Sequence, residues 1–360
     1  MQAVVTLLLF ALVLGVLVLV HELGHFVVAR LARVRVLEFG IGFPPRAKVL
    51  RDQGETVYTL NWLPIGGFVK LEGEDGDDPD DPRSFSAQGL ATRLVILVAG
   101  VVMNVVLAFA IFSGIALVGD PTLGVRAGVV QPGSPAEIAG LRAGDVIESV
   151  DGRSFGAFAS YTLLDELRLR PGETVVLGVK RPDGSRLELT ATLRGQADIE
   201  AGKGALGIGQ IEGRATDARI HYPIDRALQL GVDRTLGAMR LILDGLGDLA
   251  SAITRPTEPP PASGPVGIAI VVGETFWTLG PLVTLYVAGL LSANLAVINI
   301  LPFPPLDGGR MLILVLKRVF GERISLRAER LTYVVGFAFL MAFLVWVTGF
   351  DLLREFGGGR

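Results

Sequence analysis

Residues 3–28 read AVVTLLLFALVLGVLVLVHELGHFVV, and this stretch decides what kind of protein the chain is. Ala3 to Val20 is a run of 18 residues without a charge, with Thr6 its only polar side chain. That is long enough to begin a membrane helix of about 20 residues. A cleaved signal peptide is the competing reading. The stretch lacks a basic leading region and a small-residue cleavage pattern, and apolar character resumes past Glu22 through Phe26, Val27 and Val28, so the segment is expected to be retained.

Leu94–Val118, Leu279–Leu301 and Leu331–Phe350 are three further uncharged runs of spanning length, which makes four expected transmembrane helices. Composition agrees: of 360 residues, 50% are hydrophobic and only 19% are charged, too few charges to cover an ordinary soluble enzyme. Disorder, collagen and small disulfide scaffolds are excluded by the same balance. A net charge of −3 supplies no argument for a nucleic-acid partner, and none is expected. The chain has no cysteine, so a bound metal must be held by His, Asp or Glu.

Basic residues orient the spans. Arg30, Arg33 and Arg35 follow the first, and Arg310, Lys317, Arg318, Arg323, Arg327 and Arg330 fill the connection between the third and fourth, so both connections are expected on the cytoplasmic side. The termini and the roughly 160 polar residues between spans two and three then lie on the other side, where so long an insert must fold by itself. Residues 34–71 carry β-branched patches such as Thr56–Leu60 broken by Gly and Pro, which read as short strands beside the membrane. The acidic run Glu72–Asp81 reads as a solvated loop, Arg255–Gly264 as a stiff proline-rich linker, and Ile224–Ile253 as amphipathic helices on the membrane surface or against the insert.

His21-Glu22-Leu23-Gly24-His25 has the form H-E-x-x-H. On a helix the two imidazoles at i and i+4 lie about 40° apart on one face, close enough to grip one metal ion, and Glu22 sits beside it as the base that takes a proton from an activated water. That is the machinery for hydrolysing a peptide bond. Ionisable groups inside an apolar helix are costly, and two of the chain's three histidines are placed here within five residues, so a structural role does not account for them. A catalytic zinc takes three protein ligands. The remaining His221, past the polar insert, reads as a surface histidine; Asp307, in Asn299-Ile-Leu-Pro302-Phe-Pro304-Pro305-Leu-Asp307-Gly308-Gly309, is the better third ligand because its prolines and glycines break the helix at the membrane face shared with His25. Asn104 in the second span is a buried polar group with two readings open, a bond across helices or an approach to the site.

These two motifs resemble those of the site-2 protease family of intramembrane metalloproteases, in particular the bacterial regulator of sigma-E protease type, over nearly the whole chain. The resemblance implies one zinc ion held by His21, His25 and Asp307, with Glu22 as catalytic base. It also implies that Asn299, Pro302 and Pro304 help hold the substrate backbone. Gly40-Ile-Gly42 and the strands from Tyr58 to Val69, including Gly67, are similar to the family's membrane-associated hairpin, which binds substrate as an extended strand. An unwound transmembrane segment releases backbone groups that an open sheet edge can pair, which gives such a hairpin a reason to exist.

Val125–Gly152 is similar to the core of a PDZ domain: Ser134 caps a short helix begun by Pro135, Gly140 stops it, and Gly144-Asp145 turns into the strand Val146–Val150. Leu163–Leu169 reads as a second helix, and Glu173–Arg181 and Arg186–Leu193 as strands paired across Asp183-Gly184. Gly202–Gly209 resembles the loop that captures a peptide C-terminus. Only one such domain fits, whereas the sigma-E regulator carries two, so a size filter, a peptide binder and a structural plug all stand as readings of it.

The chain is thus read as a polytopic α-helical membrane protein with about four transmembrane helices, a small membrane-associated β-sheet and an inserted extracytoplasmic PDZ (α+β) domain. The expected segments are span one at 1–30, hairpin region and acidic loop at 31–92, span two at 93–118, PDZ domain at 119–213, amphipathic helices and linker at 214–264, span three at 265–310, a basic loop at 311–330, span four at 331–350 and a tail at 351–360. The expected activity is zinc-dependent cleavage, in the cytoplasmic (inner) membrane, of single-span proteins already trimmed on the outside, such as an anti-sigma factor or a remnant signal peptide. Lipid is the surrounding partner. A non-catalytic PDZ adaptor and a heat-shock-type metalloprotease with a Glu as third ligand are the rival readings.

Overall fold

A computed structural model describes residues 2–52, 54–74, 80–159, 161–253, 263–321 and 326–356. In chain order its elements are α1 (Gln2–Leu31), β1 (Val36–Arg51), β2 (Val57–Leu71), α2 (Leu90–Val118), β3 (Asp120–Arg126), β4 (Val129–Val130), α3 (Pro135–Ile138), β5 (Val146–Val150), α4 (Leu163–Arg168), β6 (Thr174–Lys180), β7 (Arg186–Thr192), α5 (Gln196–Glu200), β8 (Ile208–Gly209), β9 (Glu212–Ile220), α6 (Ile224–Ile253), α7 (Pro265–Leu279), α8 (Pro281–Asn299), α9 (Asp307–Phe320) and α10 (Leu326–Phe356). They form two compact units: Met1–Ser113, Gln229–Gly273 and Tyr286–Arg360 make the first, Gly114–Leu228 and Glu274–Leu285 the second. Among the described residues, four helices are long and apolar enough to cross a membrane: Gln2–Leu31, Leu90–Val118, Pro281–Asn299 and Glu329–Glu355.

In the first unit, Leu7, Leu8 and Leu12 of α1 stay exposed, as they would facing lipid. The C-terminal end of α1 is instead covered. Ala29, Val34, Val36, Leu71, Phe85, Ile96 and Leu97 are buried together there, joining α1, the two long strands and the start of α2 in one core. Burial of each such Val, Leu, Ile or Phe is worth about 1.5–3 kcal/mol.

The strands β1 and β2 are longer than the short strands the turn residues suggest, because both bend and pair twice. Val36–Ile41 lies against Leu71–Gly67, while Glu38–Ile41 also lies against Val57–Leu60, and Arg46–Arg51 pairs with Asn61–Tyr58. The sheet therefore has four segments, with 67–71 and 46–51 at its edges.

The expected third span, the uncharged run Leu279–Leu301, is matched by α8, but the segment 265–310 assigned around it holds more than that helix. Residues 265–310 divide into α7, a break at Gly280, α8, an irregular turn at 300–306 and the first turn of α9. The stretch 311–330 is not a plain loop either, since α9 continues to Phe320. Its alternation of apolar residues with Lys317 and Arg318 reads as polar by charge, yet it is amphipathic: Ile313 is buried, and Lys317 forms an ion pair with Glu329 of α10. Ile224–Ile253 is one 30-residue helix, whose Ala238, Met239 and Ile242 pack with Ala108, Phe112 and Ala293. Residues 75–79 of the acidic run and 254–262 of the proline-rich linker lie outside the described residues.

The second unit contains a five-stranded sheet in the order β7-β6-β5-β3-β9 and a small β4-β8 pair. Alternate residues Val175, Leu177 and Val179 of β6 turn inward with Ile147 and Val150 of β5 and Leu163 and Leu167 of α4. Local sequence places the ends of these elements. Ser134 accepts a hydrogen bond from Glu137 N–H and caps α3, and Thr162 and Asp165 form a reciprocal capping box on α4.

Candidate metal centre

The site is built where α1 and α2 come into close contact. Gly24 and Gly100 permit this: a Cβ on Gly24 would meet the Ala99 carbonyl and Met103, and one on Gly100 would meet both imidazoles. His21 and His25, one turn apart on α1, are buried, and their ring centroids lie 4.8 Å apart. Asp307 comes from the other end of the chain as the first residue of α9, where the positive end of the helix favours a carboxylate. Gly308 and Gly309 make that placement possible, because side chains there would collide with the Ile300 and Leu301 carbonyls and with Phe303 and Pro304 in the preceding turn.

Three ligand atoms converge. His21 Nε2 lies 3.0 Å from Asp307 Oδ2, His25 Nε2 lies 3.4 Å from the same oxygen, and the two nitrogens are 3.2 Å apart. With ligand bonds near 2.0–2.1 Å, two ligands of a tetrahedral zinc lie about 3.3 Å from each other, so this triangle has the size such an ion requires. The donor set of two imidazoles and one carboxylate is also that of catalytic zinc. Among the described residues this is the one place where three such side chains meet.

Glu22 is half-buried and lines two cavities that meet at this cluster. One, of about 160 Å³, is bounded by Glu22, His25, Asp307, Arg310 and the edge residues Gly67, Phe68 and Val69. The other, of about 250 Å³, adds Val18, His21, Leu295, Asn299 and Pro305. Gly67–Leu71 pairs with β1 on one side, and among the described residues no strand pairs with its other edge, beside the smaller cavity. Arg310 closes the end of that cavity through an ion pair with Glu74, which also accepts the Leu71 N–H.

The expected substrate residues separate into groups. Asn299 and Gly67 line the cavities at the cluster. Pro302 and Pro304 lie outside both linings, Pro304 against Gly309 and Gly336, and Pro305 takes the place beside Asn299. Gly40 and Gly42 sit within the sheet, where the Gly42 carbonyl accepts from Asn61, and Tyr58 lines a separate apolar cavity with Leu23, Phe26 and Phe39. His221 is exposed. Glu74 and Arg310, read from sequence only as loop charges, meet at the end of the cavity, and Asn104, whose polarity inside an apolar span was the usable signal, approaches His21.

The sequence profile of peptidase family M50 matches residues 9–343. A Clostridium perfringens protein named as a candidate zinc metalloprotease is 34% identical over 348 residues, covering 96% of this chain and 98% of its own. The zinc metalloprotease RasP of Shouchella clausii is 28% identical over 432 aligned positions, covering 98% of this chain and 99% of its own. A Brucella suis protein, also named as a candidate zinc metalloprotease, is 30% identical over 373 positions, with 96% and 95% covered.

Proposed function

The chain belongs to peptidase family M50, the site-2 proteases, and is a zinc metalloprotease; from that premise we propose that it cuts the transmembrane segments of single-span proteins in regulated intramembrane proteolysis. The observation that carries this reading is the His21–His25–Asp307 cluster, whose two histidines stand on a helix of spanning length, with Glu22 and an open strand edge beside it.

His21, His25 and Asp307 would hold the zinc, which would supply Lewis acidity and lower the pKa of a water to about 7. Glu22 would take a proton from the attacking water as it adds to the scissile carbonyl carbon, and would deliver it to the amine as the C–N bond breaks. A helix cannot be cut while its amides are internally bonded. The edge Gly67–Leu71 pairs with the unwound substrate as an added strand, and Asn299 holds its backbone from the opposite cavity.

The second unit is a PDZ-type domain on the extracytoplasmic side of the inner membrane, acting as a size filter that admits proteins already trimmed there; capture of a newly exposed C-terminus at Gly202–Gly209 is the alternative. The cluster lies toward the cytoplasmic face, by the basic residues after α1 and in α9. Anti-sigma factors and remnant signal peptides are the substrate types that fit.

Zinc content and cleavage of a transmembrane test substrate, measured on the parent chain and on Glu22→Gln, test the mechanism. Zinc is retained and cleavage lost in the variant; equal cleavage by both rejects the mechanism, whereas partner binding that persists with full biological effect in Glu22→Gln favours the non-catalytic adaptor. Partners trapped on Glu22→Gln and identified by mass spectrometry name the substrate.

A further inference from the structure

The two imidazoles of the cluster are backed by different groups. His25 Nδ1 lies 2.8 Å from the Ile96 carbonyl. A carbonyl only accepts, so Nδ1 carries the proton and Nε2 is left as the open lone pair facing Asp307. Among the described residues no such carbonyl stands behind His21. Its Nδ1 lies 3.3 Å from the side-chain amide of Asn104, a residue with no exposed surface. The amide nitrogen is the nearer atom, and among the described residues the amide oxygen Oδ1 has no hydrogen-bond partner although it is buried.

The nitrogen and oxygen of a carboxamide exchange places by a half turn about the last side-chain bond, with little change of shape. The two orientations demand opposite tautomers of His21. An amide N–H against Nδ1 requires the ring proton on Nε2, which blocks the atom that faces Asp307. The amide oxygen against Nδ1 accepts the proton there and leaves Nε2 free to bind a metal.

We infer that Asn104 is a positioning residue for the metal centre: through Oδ1 it accepts the His21 Nδ1–H and holds that ring in the ligating tautomer and plane. The inference rests on reading His21, His25 and Asp307 as the zinc ligands. It is the counterpart, supplied by a side chain, of what the Ile96 backbone does for His25. A ligating His is ordinarily fixed in this way by an acceptor behind it. The helix that carries Asn104 is itself anchored at this level, since Ser292 Oγ donates to the Asn104 carbonyl at 2.8 Å and both residues are fully buried. Gly100, one turn earlier, leaves the room in which the rings stand. Asn104 touches no reacting atom; it acts through His21.

The test compares four full-length chains: the parent, Asn104→Leu, Asn104→Asp and Asp307→Ala. Zinc retained against graded chelator and the absorption spectrum of the cobalt-substituted protein are the readouts, so cleavage is not needed. Leu nearly matches Asn in volume but cannot accept a hydrogen bond, and its apparent zinc affinity falls roughly 10–100-fold. Asp accepts the Nδ1 proton, and its affinity and cobalt spectrum stay at or above those of the parent. Parent-like zinc affinity in Asn104→Leu overturns the inference while leaving the metal site intact, provided that Asp307→Ala loses zinc. Equal loss in Leu and Asp assigns Asn104 to packing and overturns it as well. If Asn104→Leu does not fold, Asn104→Asp decides alone: a tenfold loss there sinks the inference. Zinc retained by Asp307→Ala refutes the metal reading itself, which is a separate failure.

Discussion

His21 Nε2 and Asp307 Oδ2 stand 3.0 Å apart although 286 residues separate them in the chain. Two like-sized demands are met by one contact: the carboxylate partly balances the cost of burying polar rings in an apolar helix, and it completes a ligand triangle of the size zinc requires. The Gly308-Gly309 pair, not the carboxylate alone, sets this distance, because only residues without side chains let the turn at 300–306 lie against the start of α9.

Removing zinc from the purified chain with a chelator lowers its thermal midpoint, and adding zinc restores it. At a hundredfold excess over the dissociation constant the stabilisation is about 2.7 kcal/mol. The Asp307→Ala chain shows no zinc-dependent change in its melting curve; a full shift in that variant would remove Asp307 from the ligand set.

Gly24→Ala drives a methyl group into the Ala99 carbonyl and the Met103 side chain, which forces α1 and α2 apart. Overpacking of this kind costs about 1–3 kcal/mol, and zinc retention falls with it. Gly114→Ala in the same α2 meets nothing within 4 Å and stays within about 1 kcal/mol of the parent. Unfolding in graded denaturing detergent distinguishes the two.

Gly67→Val crowds the Gly40 carbonyl and points toward Glu22, at the edge where the substrate strand is proposed to add. Cleavage of the test substrate falls roughly 100-fold, as expected for reactants displaced by about 1 Å, while zinc content is unchanged. Loss of zinc together with activity would instead mean that Gly67 supports the metal cluster.

Leu177→Ala removes a fully buried side chain from the core of the second unit. The cost is about 2–5 kcal/mol, seen as faster proteolysis within residues 119–220. On the size-filter reading the loosened domain admits substrates whose outer portion is still intact, so their cleavage rises relative to that of trimmed ones. An unchanged ratio favours a structural plug.

Much of this architecture was open to reading from local pattern. The four spans follow from uncharged length, and α3, β5 and the β6–β7 pair follow from capping residues, turn glycines and alternation, all of which act within a few residues of one another. The H-E-x-x-H spacing likewise implies a shared helix face before any fold is known. The amphipathic α9 was harder to read, because Lys317 and Arg318 resemble loop charges until Ile313 is seen to be buried and Glu329 to pair with Lys317. The twofold pairing of β1 was also hidden: a residue pattern of period two indicates a strand but not how many neighbours it has.

By itself the sequence determined the chemistry that could occur, a metal held by imidazole and carboxylate in an apolar setting with no thiol to compete, since side-chain type and short spacing are local properties. Only the tertiary structure decided that Asp307 closes the triangle, that Asn104 stands behind His21, that Glu74 meets Arg310, and that the edge Gly67–Leu71 borders the cluster. Those relations join segments far apart in the chain. They depend on how closely helices and turns can pack, and that is set by the summed shapes of many residues rather than by any one of them.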